Sequence, residues 1–290
     1  MNYVDHRAMF EGFNAHLWAP NSGRLLWMSQ PAWPSMSWQL FSHDYDTHGT
    51  YYGVKKACEP IHVQLNLPDL TIMIVNNTTA PLPALSLTAH VFSMDARLLW
   101  TRDTRLAAGP NMTTPGFPLD LPSEASSGVV FVKLELKDLE RGLLSENFYW
   151  YADQPSASRR LAELPAVLVN GSANLNRSGD HVRVFVDLAN DAHGVALMNH
   201  VTLRHVADGQ RVLPAYFDDN YVSLLPGETR RIDIDCPASA VHGDLEVGLE
   251  GWNVSPIVIP CRQSQDISRK QPESRLARSS PAIPRGRIPR

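Results

Sequence analysis

The stretch Val129-Val130-Phe131-Val132-Lys133-Leu134-Glu135-Leu136-Lys137 decides the fold. Val130, Val132, Leu134 and Leu136 fall on one parity, and Lys133, Glu135 and Lys137 on the other. Successive side chains of an extended chain point to opposite faces, so this pattern predicts a strand with one apolar and one polar face. Working outward, Ile61-His62-Val63-Gln64-Leu65 alternates in the same way, and Thr71–Val75 and Leu85–Phe92 read as further strands. Asn76-Asn77-Thr78-Thr79 and Pro81-Leu82-Pro83 are turn signals between them. A second block repeats the texture, with strands expected at Ala166–Val169, Val182–Leu188, Val195–Val206, Arg231–Ile234 and Leu245–Leu249, and a turn at Leu225-Pro226-Gly227-Glu228. Short strands separated by turn signals at roughly 8–12 residues indicate β-sandwiches of the immunoglobulin-like kind. The fold class expected is therefore mainly β, with two such domains at 58–153 and 158–262. Residues 153–163 read as the linker.

Composition agrees with this. The chain has 290 residues, 43% hydrophobic and 19% charged, which supplies real cores and excludes a coiled coil, a collagen or a wholly disordered chain. No apolar run approaches the ~18–20 residues of a membrane span, so no membrane partner is expected. The N-terminal stretch has acids and no apolar core, so no signal peptide is expected there. Three cysteines, Cys58, Cys236 and Cys261, allow at most one bridge, with Cys236 and Cys261 the pair expected to share a domain. Residues 263–290 carry a net charge of +5 against −4 for the whole chain, which leaves −9 on residues 1–262. That acidic body argues against nucleic acid as a partner. The Pro-, Ser- and Arg-rich end is expected to be a disordered basic tail.

Residues 1–57 have a different texture. Val4–Leu17 reads as a helix, Leu25-Leu26-Trp27-Met28 as a short strand buried on both faces, and Tyr51–Ala57 as a second helix. This is the rhythm of one α/β unit, which cannot close a sheet by itself. Eleven of the chain's twenty-four Phe, Trp and Tyr lie in residues 1–52, several among loop residues, as at Trp33-Pro34, Trp38 and Tyr45. Aromatics on loops line surfaces or clefts more readily than cores.

Known catalytic and metal signatures are missing: no phosphate-binding glycine loop, H-E-x-x-H, G-x-S-x-G or zinc-type cysteine cluster occurs, and no cofactor or metal is expected. His43-Asp44-Tyr45-Asp46-Thr47-His48 concentrates potential ligands, but its spacing favours a polar loop with local hydrogen bonds. Glu11, among apolar neighbours on the first helix, is expected to sit in a hydrogen-bond network. Asp218-Asp219 is expected to bind locally at a turn, and the acids of the β blocks to face solvent. Six N-x-S/T triplets, at Asn76, Asn77, Asn111, Asn170, Asn176 and Asn253, would be glycosylation acceptors only in a secreted eukaryotic protein.

Several segments carry a resemblance, in order along the chain. Gly23-Arg24-Leu25-Leu26-Trp27-Met28 with Ala32-Trp33-Pro34-Ser35 resembles the last barrel strand and loop of glycoside hydrolase family 2, in its exo-β-D-glucosaminidase and β-mannosidase branch. Tyr52–Gln64 is similar to the exit from that barrel, Ser145–Trp150 to the end of the following Ig-like domain, and Tyr216–Glu228 to the C-terminal Ig-fold domain. The resemblance implies that residues 1–57 are a remnant of a (β/α)₈ barrel. Such a barrel needs about 200–250 residues. It implies retaining hydrolysis by two Glu that lie ahead of this chain, so no catalytic residue is expected here and the chain alone is expected to be inactive. The implied partners are a β-linked amino-sugar or mannosyl oligosaccharide and the upstream barrel and sugar-binding domains. An extracellular or periplasmic site is compatible with it. Trp27 would form an apolar platform under the sugar, with Trp33 and Trp38 as loop walls; the residue pattern alone also allows Trp27 to be a core residue. The alternative function is a non-catalytic carbohydrate-binding or structural β-sandwich module.

Overall fold

A computed structural model describes residues 2–20, 22–35, 38–123 and 128–263. The expected basic tail lies outside the described residues from position 264 on, as does Asn21 of the turn after the first helix. Gln263 is ordered as the last residue of the final strand.

Seven strands build the first sandwich. One sheet has the order β1-β2-β5, from β1 (Ile61–Asn66), β2 (Thr71–Asn76) and β5 (Met112–Pro118). The other has the order β4-β3-β6-β7, from β3 (Leu82–Phe92), β4 (Leu98–Ala108), β6 (Val129–Asp138) and β7 (Gly142–Ala152). Val63, Leu65, Ile72 and Ile74 of one sheet meet Leu85, Leu87, Val132, Leu134 and Leu136 of the other in an apolar core. The alternation read from Val130 to Leu136 is the inward face of β6.

Eight strands build the second domain, in the continuous order β11-β13-β9-β8-β15-β14-β10-β12. Their ranges are β8 (Asn170–Ser178), β9 (His181–Ala189), β10 (Ala196–His205), β11 (Tyr216–Phe217), β12 (Val222–Leu224), β13 (Thr229–Pro237), β14 (Leu245–Glu250) and β15 (Ile257–Gln263). β8 and β15 pair in parallel and form the seam where the order passes from one half to the other. Val182, Val184, Val186, Ile232 and Ile234 of one half then face Val201, Leu203, Val247 and Leu249 of the other.

The structure changes several expectations. Ala166–Val169 is not a strand; Val167 makes only an isolated bridge to Val254, and the ladder starts at Asn170. The segment 153–163 is no loose linker. Pro155–Glu163 winds as a 3₁₀ helix, and Leu161 and Leu164 are buried. They join Val129 and Phe131 of β6 with Val195, Leu197 and Leu225 in a third core between the two sandwiches. The polar face expected of β6 is therefore half apolar interface, because Phe131 shares the parity of Lys133. Lys133 is itself partly buried, with Nζ paired to Glu228 of the second domain and 3.8 Å from Glu146 of β7, while Arg230 pairs with Glu146. Acids expected on solvated faces thus form cross-domain ion pairs. The three cysteines are free thiols, and burial pushes Cys236 and Cys261 up to about 11 and about 12. No helix among the described residues is long and apolar enough to cross a membrane.

Phe131 has no exposed surface and stacks on Phe148 with ring centroids 5.6 Å apart. Truncating a fully buried Phe removes its transfer free energy and leaves a cavity. Phe131→Ala is expected to lower the unfolding free energy by about 3–5 kcal/mol in urea titration; a loss below ~1 kcal/mol would show that the inter-domain core is not tightly packed.

Candidate functional site

Two helices carry the segment expected to face substrate. α1 (Asn2–Asn14) starts two residues before and ends three residues before the expected Val4–Leu17, and α2 (Gly49–Ala57) begins at an N-cap, His48, whose Nδ1 accepts the Thr50 N–H at 3.3 Å. The helices cross closely: a Cβ on Gly53 would lie 2.2 Å from the carbonyl oxygen of Tyr3, so only glycine fits. Their other ends are tied by Asn14, whose Nδ2 donates to the Ala57 carbonyl at 2.7 Å.

The helix pair is held on the first sandwich by a buried polar hub. Glu11, 3% exposed, accepts at Oε1 from Tyr149 OH at 2.7 Å and Asn147 Nδ2 at 2.9 Å, and lies 3.1 Å from His62 Nε2. Arg7, one helical turn earlier, donates to Asn147 Oδ1 at 2.8 Å and to the Phe148 carbonyl at 2.7 Å, and its guanidinium lies 4.1 Å from the Tyr149 ring centroid. Gln64 donates to the Glu11 carbonyl at 2.7 Å. On its other nitrogen His62 meets Glu59 at 3.2 Å, and Glu59 pairs with Lys56 at 2.7 Å. Burial opposes charge on His62, but its hydrogen bonds to Glu11 and Glu59 outweigh it and hold the imidazole above its ordinary pKa. Burial likewise opposes charge on Glu59, yet His62 and Lys56 keep its carboxyl below the ordinary range.

Of these residues, the sequence reading singled out only Glu11 and left the others unassigned. The available signal was polar residues at inward parity. Ser145, Asn147 and Tyr149 share one face of β7, and all three are buried. His62 and Gln64 lie on the supposed outward face of β1, yet both are fully buried because α1 covers that face.

Between the helices, Leu25–Met28 forms no strand. Leu25 is fully exposed and Trp27 is 80% exposed, the opposite of a strand buried on both faces. A parallel strand exists only by pairing with neighbours, and no other parallel strand lies in this region among the described residues. Trp33 and Trp38 are 69% and 61% exposed. The three tryptophans therefore lie on one exposed stretch between two packed helices; they line no shared cavity among those found in the described residues. After them the chain is tied down again. Phe41 bridges to Thr47, Thr47 Oγ1 hydrogen-bonds Tyr52 OH at 2.7 Å, and Asp44 and Asp46 form ion pairs with Arg211 of the second domain, Asp44 at 2.6 Å. The acids of the His43–His48 loop are thus a docking contact, and among the described residues no group of three or more His, Cys, Asp or Glu could hold a metal. The Asp219 side chain accepts the next residue's N–H, a local contact as expected, whereas Asp218 Oδ1 accepts the N–H of Asp233, fifteen residues on in β13.

Residues 147–254 match the family described as the exo-β-D-glucosaminidase Ig-fold domain, and residues 69–154 the mannosidase Ig/CBM-like domain. Together these two matches span residues 69–254, and both describe Ig-like domains named for exo-β-D-glucosaminidases and mannosidases. It is 28% identical to a mannosylglycoprotein endo-β-mannosidase of Lilium longiflorum over 88% of this chain and 33% of that protein. It is 27% identical to an exo-β-D-glucosaminidase of Streptomyces avermitilis over 89% of this chain and 31% of that one. The crystal structure of the exo-chitosanase CsxA of Amycolatopsis orientalis superposes with a TM-score of 0.82 at 26% identity, covering 89% of this chain and 33% of that chain. The chain thus spans about a third of the length of the relatives it matches, and it carries their C-terminal Ig-like portion.

The hub has a pH signature. A His held above its ordinary value of about 6.5 contributes stability that is fully present below that value and lost as pH rises through the folded value. Burial lowers His48, His90 and His200, which slope the other way but are common to both proteins compared. The difference in unfolding free energy between the wild type and His62→Gln is expected to be largest near pH 5–6 and to shrink toward pH 9. A difference that grows with pH would contradict a charged His62 between two carboxylates.

Proposed function

We propose that this chain is the C-terminal portion of a retaining β-glycoside hydrolase acting on β-linked glucosamine or mannose, divided at 1–57, 58–153 and 158–262, and inactive without a barrel that supplies its two catalytic carboxylates. The observation that carries the reading is the exposure of Trp27, Trp33 and Trp38 between helices that are themselves pinned to the sandwich. Large exposed aromatics on a firmly anchored stretch mark a binding surface. An indole face suits the C–H face of a pyranose, as apolar burial with a preferred geometry. Trp27 serves as the platform beneath the sugar, and Trp33 and Trp38 as its walls.

Two carboxylates near this region, Glu11 and Glu59, are already committed. A retaining glycosidase needs two carboxyl groups about 5–5.5 Å apart with access to the glycosidic bond. Glu11 and Glu59 flank the two nitrogens of His62 and are held in the hub, where no substrate can reach Glu11. The purified chain is therefore expected to release no p-nitrophenol from p-nitrophenyl β-D-glucosaminide or β-D-mannoside above a protein-free blank. Release by the chain alone would overturn the assignment of both carboxylates elsewhere. The coding DNA upstream of Met1 is expected to specify the remaining barrel with two suitably placed Glu; a coding context without one would remove the enzymatic reading and leave a carbohydrate-binding module.

A further inference from the structure

A cavity of about 400 Å³ opens where α1, β7, the 3₁₀ helix Pro155–Glu163, β10 and the end of β14 meet. That volume falls within the range of small-molecule sites, about 300–1,000 Å³. Its walls are apolar and aromatic, and among its lining residues stands one carboxylate, Glu250, with no Lys or Arg. Trp252 is 57% exposed at the cavity, yet its ring is fixed: Nε1 donates to the Leu161 carbonyl at 2.8 Å and its backbone N–H to the Leu197 carbonyl at 2.9 Å. The indole is thus presented to solvent at little further cost in side-chain freedom. Trp150 lines the same cavity. His200 stacks on Tyr221 with ring centroids 4.5 Å apart and lies 3.3 Å from Glu250 Oε1 through Nδ1. Burial holds His200 below its ordinary pKa, so at neutral pH it orients Glu250 without cancelling its charge.

We propose that this junction cavity binds a cationic pyranose, the protonated glucosamine unit of a β-linked oligomer, with the Trp252 indole under the ring and Glu250 facing the ammonium. A fixed aromatic face takes the C–H surface of the sugar and attracts a cation. A lone carboxylate in an apolar wall, on a body of net charge −9 outside the last 28 residues, selects the charged amino sugar over a neutral one. The choice of sugar rests on the glycosidase reading above; the site rests on the cavity's own chemistry.

The test is calorimetric titration of the whole chain with glucosamine hexamer and, separately, mannohexaose at pH 6. Saturable heat with the glucosamine hexamer is expected, with at least tenfold weaker binding in Trp252→Ala and loss of the preference over mannohexaose in Glu250→Gln. Leu139→Ala, at an exposed position outside the cavity lining, should leave this affinity unchanged. To guard against misfolded variants, the indole N–H resonance of Trp252, assigned with Trp252→Phe, is expected to shift on titration of the wild type. No shift of that resonance, with heat undiminished in Trp252→Ala, would overturn the site while leaving the enzymatic reading untouched. Equal affinity for both sugars would overturn the ligand class, and loss of binding in Trp27→Ala but not in Trp252→Ala would place the binding elsewhere.

Discussion

One carboxylate holds the assembly in place. Glu11 lies on a helix that precedes both sandwiches in sequence, and its partners His62, Asn147 and Tyr149 come from strands at the two edges of the first sandwich's chain segment. A buried charge is tolerable only where it is paired and hydrogen-bonded, and removing one partner leaves the others uncompensated. The hub therefore fixes where α1 can sit to within hydrogen-bond tolerance, which apolar contact alone would not do. Everything carried by α1 and α2 inherits that position, including the exposed tryptophan stretch between them.

The same logic recurs at the second domain. Arg211 receives Asp44 and Asp46 from the loop after the tryptophans, and Lys133 and Arg230 cross from one sandwich to the other through Glu146 and Glu228. These pairs are partly exposed and individually modest. They set register, while Phe131, Leu161, Leu197 and their neighbours supply the apolar area between the domains. The segment Pro155–Glu163 is part of that interface, so the two sandwiches and the helix pair meet as packed neighbours. The cavity lined by Trp150 and Trp252 lies at this junction.

Eight of the fifteen strands can be read from the sequence, because alternation reports one buried face directly, whereas β4, β5, β7, β8, β11, β12 and β15 are not read there. In two of the strands that are read, a second face is buried too. β1 looked half-solvated, but His62 and Gln64 are covered by α1; β6 looked charged on its outer face, but Phe131 makes that face an interface. β8 was missed because Asn170–Ser178 offers only Ala173 and Leu175 as buried apolar side chains, the rest being held by parallel and antiparallel neighbours. Leu25–Met28 was misread for the converse reason: an apolar run states a preference for burial, but a strand requires partners, and the described residues provide none there. Of the hub, Glu11 alone could be read from the sequence, since its partners are brought to it by tertiary packing from as far as 138 residues away.

The claim on which the rest depends is that the helix pair is an integral part of the folded unit and not an appendage. Native-state hydrogen–deuterium exchange tests it most directly. The amides of Asn2–Asn14 and Gly49–Ala57 are predicted to exchange with the same opening free energy as those of β1 and β7, because freeing α1 would strand the buried partners of Glu11. Fast exchange of both helices while β1 and β7 stay protected would contradict the account.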